Sequence, residues 1–122
     1  MKKVQDLLAY KKGFDLAMLI FNITKSFPKE EKYSLTDQLR RSSRSVCANL
    51  SESYKKRRYQ KHFISKLTDC DAENAETQTW LEFSYTCEYI DKVTFDDLYS
   101  KSQEISKLLN FMILNPEKFG SK

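Results

Sequence analysis

Ser34–Arg58, SLTDQLRRSSRSVCANLSESYKKRR, is the stretch whose reading decides the fold. It contains no Gly or Pro, and its few apolar residues, Leu35, Leu39, Val46 and Leu50, recur at helical spacing. A second row, Gln38, Arg41, Ser45, Asn49 and Glu52, steps by three, four, four and three. On a helix that spacing puts five polar groups on one stripe. Beside it lie the small residues Ser42, Ser43, Cys47 and Ala48. An ordinary surface helix carries one broad apolar face and one charged face. Here the apolar face is thin, so the polar row is expected to be buried, within the bundle or between subunits. Arg41, Asn49 and Glu52 then need partners, because an unpaired buried charge is costly, and Glu73 and Glu76 on the third helix are the candidates. A solvent-facing row is the alternative.

Working outward, 122 residues make one domain with a self-sufficient core. Two glycines and two prolines are too few to punctuate a sheet-rich or loop-rich fold, whereas long helices need little punctuation. The first helix is expected at about 4–26, with Leu7, Phe14, Met18 and Phe21 as its apolar row. Leu8, Ile20, Ile23 and Phe27 widen that row. Gly13 inside it marks either a close helix approach or a weak spot. Phe27-Pro28 ends the helix, since the residue before proline disfavours helical backbone.

The second helix is expected at about 34–57, capped by Ser34 with Asp37 three residues on. A break near Arg58–Gln60 leads to a third helix at 61–89, with Phe63, Leu67, Cys70, Thr77 and Leu81 on one side and Asn74 interrupting them. Thr94 is read as the cap of a fourth helix at 94–115, with Val93 and Leu98 as a hydrophobic staple. Leu98, Ile105, Leu108, Leu109, Met112 and Ile113 form its apolar face, and Asn115-Pro116 stops it. The expectation is an all-α, antiparallel up-down-up-down four-helix bundle forming a single domain over 1–122.

Chemistry is sparse. His62 is the only histidine, so neither a Cys–His nor a Ser–His–Asp site has a positioned base, and no Glu-x-x-His pair exists for a di-iron centre. Asp69, Asp71 and Glu73 alternate by two but lack the Gly and distal Glu of a calcium loop. Neither a catalytic site, a metal site nor a cofactor is expected. Cys47, Cys70 and Cys87 are widely spaced and read as reduced thiols of a cytoplasmic protein. No stretch reaches the roughly 18 apolar residues that span a bilayer, so no membrane partner is expected.

The net charge of +4 is modest, but its placement is uneven. Lys55, Lys56, Arg57, Arg58 and Lys61 cluster beside Tyr54 and Tyr59, and Arg40 and Arg44 lie upstream. Cations with interleaved rings are what single-stranded nucleic acid contacts use, charge for phosphates and rings for bases. A solvated turn is the plain alternative.

The series FPKEEKYSLTDQLRRSSRSVCANLSESYKKR resembles the signature of the bacterial ribosomal-RNA intervening-sequence protein family. The matching elements are Phe27-Pro28, Tyr33-Ser34-Leu35, Gln38-Leu39-Arg40-Arg41, Ser45-Val46, Asn49-Leu50-Ser51-Glu52 and the basic Lys56-Arg57-Arg58. Glu76-Thr77-Gln78 is similar to a later family feature. Ser53 stands where the family usually has Gly, and the Ser or Thr that usually opens the third helix is replaced near Tyr59. The resemblance implies a four-helix bundle in a ring-like homo-oligomer, with a pentamer the leading expectation. A related branch resembles the accessory variability protein of diversity-generating retroelements, which implies nucleic acid and a reverse transcriptase as partners. The resulting expectation is a non-enzymatic homo-oligomer that binds RNA more than DNA through its basic helix 2–3 region. The rival is a protein-interaction scaffold, or an accessory subunit of a nucleic-acid enzyme, that does not itself touch nucleic acid.

Overall fold

The computed structural model describes residues 3–122. Four helices account for the fold: α1 Leu8–Ile23, α2 Leu35–Lys55, α3 Gln60–Thr86 and α4 Lys92–Leu114. Short 3-10 turns, Val4–Asp6, Thr24–Ser26, Lys29–Glu31 and Pro116–Phe119, fill the ends and the first connection. Among the described residues there is no strand. Because the connections are short, successive helices run antiparallel. Each packs on its neighbour in sequence and α4 closes the square against α1; the α2–α3 contact is the largest and the α1–α4 contact the smallest. No helix among the described residues is long and apolar enough to cross a membrane.

The core is built where the apolar rows of α2, α3 and α4 were read. Leu39, Leu50, Phe63, Leu67, Cys70, Leu81 and Leu109 have no exposed surface. Truncating a fully buried Leu of this kind to Ala costs about 2–5 kcal/mol.

In α1 the expected apolar row is on the wrong side. Leu7 is buried, but Phe14 and Met18 are 50% and 44% exposed and Phe21 is half-buried. Of the residues expected to widen the row, Ile20 and Phe27 are buried and Leu8 is 53% exposed; the core face of the helix is Ala9, Gly13, Leu16, Ala17 and Ile20. Three small residues on that face let α1 lie close to α2: a Cβ at Gly13 would stand 3.3 Å from Cys47 Sγ and 3.5 Å from Val46 Cγ1. Gly13 is thus a site of close approach, and the larger side chains of α1 are pushed outward.

The helix ends differ from the expected caps. Ser34 stands at the N-cap position of α2 as expected, but its hydroxyl makes no capping bond and donates instead to Glu31 Oε1 at 2.7 Å. The cap of α4 is Asp91, whose Oδ1 accepts from the Thr94 backbone N–H at 2.8 Å, so α4 begins before Thr94. Val93 is 79% exposed and makes no staple with the buried Leu98. α3 stops at Thr86 because Glu88 turns left-handed, at φ 64°, and the Tyr89 N–H reaches back to Ser84 O at 2.9 Å. Ser53 is fully buried and donates to Leu50 O at 2.7 Å, so its hydroxyl is satisfied within α2.

Candidate nucleic-acid interface

The basic cluster sits on the turn between α2 and α3. α2 ends at Lys55, Lys56 leaves helical geometry, and the extended Tyr59 opens α3. The topology brings this turn to the same end of the bundle as the Val4–Asp6 turn and the tail after α4. Two bonds fix that juxtaposition: Arg57 Nη1 donates to Phe119 O at 3.1 Å, and Ser121 Oγ donates to Arg57 O at 2.8 Å. The basic residues at this end include Lys3, Lys55, Lys56, Arg57, Arg58, Lys61, Lys118 and Lys122. Asp6, Glu52 and Glu117 are the acidic ones. At the opposite end acids dominate, with Glu30, Glu31, Asp37, Glu82, Glu88, Asp91, Asp96 and Asp97 against Lys25, Lys29, Lys32, Arg40 and Lys92. A small net charge therefore conceals a bundle that is positive at one end and negative at the other.

Lys55, Lys56, Arg58 and Lys61 are exposed, and among the described residues none of them makes a salt bridge. Tyr59 is 58% exposed, with Arg58 5.7 Å from its ring centroid and the His62 ring 5.4 Å away. Arg57 behaves differently. Its guanidinium lies 3.7 Å from the Tyr54 ring centroid, and its Nε donates to Tyr54 O at 2.9 Å. With the bond to Phe119 O, two of its donors are spent on the fold.

Arg40 and Arg44 are not part of the turn. Arg44 precedes Lys55 by 11 residues, about 16 Å of helix rise. Both lie over the Phe21 ring, at 4.9 and 5.6 Å from its centroid. Arg40 Nε donates to Thr24 Oγ1 at 2.7 Å and its Nη2 to Phe21 O at 3.4 Å. Arg40 thus caps the C-terminal end of α1, where a cation is favoured by the helix dipole. Arg44 stays exposed on the outer face of α2.

The row Gln38, Arg41, Ser45, Asn49 and Glu52 is not buried within the bundle. It runs along the surface seam between α2 and α3. Arg41, 47% exposed, pairs with Glu76 at 2.6 Å and Glu73 at 3.5 Å, the two partners its sequence context indicated. Such a solvated pair contributes roughly 0–1 kcal/mol. Arg41 Nε donates to Gln38 Oε1, Ser45 Oγ to Arg41 O, and Asn49 Nδ2 to Ser45 O. Glu52 pairs with Lys66 at 2.6 Å, and that bond lowers the Glu52 pKa and raises that of Lys66. The seam needs no burial because every member finds a partner on its own helix or the next.

The buried polar groups lie one position further in. Ser42 Oγ and Thr77 Oγ1 share a hydrogen bond of 2.8 Å between α2 and α3. Asn74 Nδ2 donates to Ser102 O at 2.8 Å, Ser102 Oγ donates to Asn74 Oδ1 at 2.9 Å, and Gln78 Nε2 donates to Ser102 Oγ at 3.0 Å. Sequence reading passed over this network. The available signal was Asn74 standing inside an apolar row.

Asp69, Asp71 and Glu73 do not converge: Asp69 faces Lys66, Asp71 accepts from Ser106, and Glu73 from Arg41. Cys47 and Cys70 are buried, and burial pushes their pKa values up to about 11 and about 12. Cys87 is exposed.

Comparison with known proteins adds a family. A family model described as 23S rRNA-intervening sequence protein matches residues 5–111. Among solved structures, the chain is similar to a protein of unknown function from the S23 ribosomal protein family of Bacteroides thetaiotaomicron. The two share 32% identity with a TM-score of 0.78, over 87% of this chain and 98% of that one. No curated protein matches.

Proposed function

The chain belongs to the 23S rRNA-intervening sequence protein family, and from that premise we propose that it is a non-enzymatic, homo-oligomeric bundle that binds nucleic acid, RNA in preference to DNA, at its positive end. The observation that carries this reading is the α2–α3 turn. Four cations, Lys55, Lys56, Arg58 and Lys61, stand exposed with no salt bridge among the described residues, and Arg58 lies by the open ring of Tyr59. Cations held this way attract phosphates, and the ring offers a stacking surface to an unpaired base. Arg57 serves the turn by fixing its shape. Arg40 sits at the opposite end, bonded to the last turn of α1, and Arg44 lies midway along α2, so neither belongs to this contact.

Assembly multiplies the effect. A closed ring of identical subunits repeats the positive end once per copy, and five copies is the expectation that the family resemblance carries. The outer side of α1, with Leu8, Phe14, Met18 and Leu19 all more than a third exposed, supports a contact between subunits, since so many large apolar side chains rarely face water on one short helix.

That same face favours one second reading, a scaffold that presents α1 to a protein partner such as a polymerase subunit. Light scattering of the purified protein separates them. A multimer that dissociates in a Phe14→Glu, Met18→Glu variant assigns the face to self-assembly, and an unchanged monomer leaves it for a partner. For the nucleic-acid contact, Lys56→Glu with Arg58→Glu should abolish RNA retardation in a gel while the helical circular dichroism is retained. Full retention of RNA binding would overturn the first reading.

A further inference from the structure

Beside the basic turn lies a cleft of about 380 Å³, formed where the Val4–Asp6 turn meets the end of α2. Lys3, Gln5, Ser51, Tyr54, Lys55 and Arg57 line it, with Val4. Three of these side chains are cationic and none is acidic. Of the two acids nearest in sequence, Glu52 pairs with Lys66 outside the cleft, while Asp6 stands at the cleft's edge, its carboxylate accepting from the Lys3 backbone N–H at 3.1 Å and still charged, so that it offsets one of the three cations.

The cation at the cleft wall is held in place before any ligand arrives. Arg57 is fixed by two carbonyls, Tyr54 O and Phe119 O, and by the ring of Tyr54 at 3.7 Å. Carbonyls orient a guanidinium without neutralising its charge. Its Nη2 donates to no protein acceptor among the described residues. A preoriented, unneutralised guanidinium is the group best matched to phosphate oxygens. Lys3 and Lys55 add mobile charge, and Ser51 and Gln5 add neutral hydrogen-bonding groups.

The charge count favours one kind of phosphate. A phosphodiester within a strand carries a single negative charge and must be threaded through in both directions. A terminal phosphate monoester carries ~1.5–2 negative charges near neutrality and enters from one side. Three cations around a concave cleft, one of them offset by Asp6, suit the second. The volume also falls within the range of small-molecule sites, roughly 300–1,000 Å³, so there is room for the nucleoside that bears the phosphate.

We propose that this cleft is a subsite for a nucleoside phosphate monoester, the phosphorylated end of an RNA strand or a free mononucleotide. In its strand form it rests on the reading of the positive end as a nucleic-acid contact, and it adds a preference for phosphorylated ends.

The test compares single-stranded RNA 12-mers of one sequence carrying a 5′-phosphate, a 3′-phosphate or hydroxyls at both ends, together with adenosine 5′-monophosphate and inorganic phosphate. Affinities are measured by anisotropy for the strands and by calorimetry for the small ligands. One of the phosphorylated strands should bind at least tenfold more tightly than the hydroxyl strand, and which one identifies the end recognised. The double variant Lys3→Ala, Ser51→Ala should bring that ratio close to one, lowering the affinity of the phosphorylated strand by more than that of the hydroxyl strand. Arg57→Lys is the second variant; it should lower the ratio too, with its fold checked by circular dichroism.

Equal affinity for all three strands, with no binding of the mononucleotide, would overturn the cleft and leave the positive end standing. If no strand binds, the reading of the positive end fails. The cleft is then decided by the mononucleotide alone: binding that is lost in the double variant supports it, and no binding overturns it. Tight binding of inorganic phosphate equal to that of the mononucleotide would overturn the nucleoside part of the assignment.

Discussion

Arg57 donates a hydrogen bond to the backbone carbonyl of Phe119, 62 residues later in the chain, at 3.1 Å. A residue that composition assigns to a run of surface cations is therefore a tie between the α2–α3 turn and the C-terminal tail. Hydrogen bonds from charged groups contribute about 1.5–3 kcal/mol each, less where water competes. Arg57→Ala should lower unfolding stability by roughly 1–3 kcal/mol in a urea titration. Arg58→Ala, one residue on and exposed, should stay within about 0.5 kcal/mol of the parent. Equal effects of the two substitutions would show that the tie does not hold the turn.

The Asn74–Ser102 pair should behave as a unit. Each supplies a donor and an acceptor to the other inside the α3–α4 interface, and both are buried. Ser102→Ala leaves the buried Asn74 Oδ1 unpaired, and Asn74→Ala removes both bonds and leaves Ser102 Oγ only its bond from Gln78; each loss costs about 1–3 kcal/mol. Asn74→Ala and Ser102→Ala should each destabilise by that amount, and the double variant by less than their sum. Strict additivity in a double-mutant cycle would mean that the two residues act separately.

How far the chain was legible follows from these two examples. The rows of α2, α3 and α4 were readable because large apolar residues recur at helical spacing and each row meets another. α1 was misread because Phe14 and Met18 are larger than Ala9, Gly13 and Ala17, and size was taken to mean burial. Close packing against Cys47 and Val46 selected the small face instead. Of the polar row of α2 only Arg41 meets Glu73 and Glu76 as expected, while Glu52 pairs with Lys66 and Asn49 bonds to Ser45 O, and the depth of the row was not readable. A shift of one position around the helix separates the solvated Arg41 from the buried Ser42. Of the basic residues, spacing alone did not separate Arg57 and Arg40, bonded to carbonyls, from the free Lys55, Lys56, Arg58 and Lys61. That distinction depends on where residues 21 and 119 come to lie.

The pH dependence of stability has a definite sign at α4. The backbone N–H of Thr94 holds the Asp91 carboxyl below its ordinary pKa. A carboxylate lowered on folding stabilises the native state above its unfolded pKa and loses that contribution as pH falls through the folded value. The thermal midpoint should therefore fall as pH drops through and below the carboxylate range. Asp91→Asn, which keeps an N-capping side chain but cannot titrate, should flatten part of that fall while leaving the midpoint near neutral pH little changed. Melting curves at a series of pH values check this; a parallel fall in the variant would count against it.

The thiols should divide by burial. Cys47 and Cys70 are buried with pKa values pushed up to about 11 and about 12, so their thiolates are scarce near neutral pH. Cys87 is exposed. Native protein treated with a maleimide near neutral pH should be modified once and rapidly, at Cys87, with the other two reacting only after denaturant is added. Mass spectrometry reads the result, and rapid labelling of Cys70 in native protein would contradict the packing described.

The central claim is that Lys55, Lys56, Arg58 and Lys61 meet nucleic-acid phosphates. Its most direct measurement is the anisotropy of a labelled single-stranded RNA titrated with purified protein at several salt concentrations. Each phosphate contact to a single strand contributes about −0.7 to the slope of log affinity against log salt. Four contacts from one subunit predict a slope near about −3, less steep by about 1.4 in an Arg58→Ala, Lys61→Ala variant. Absence of binding at low salt, or a slope that the variant leaves unchanged, would contradict the claim.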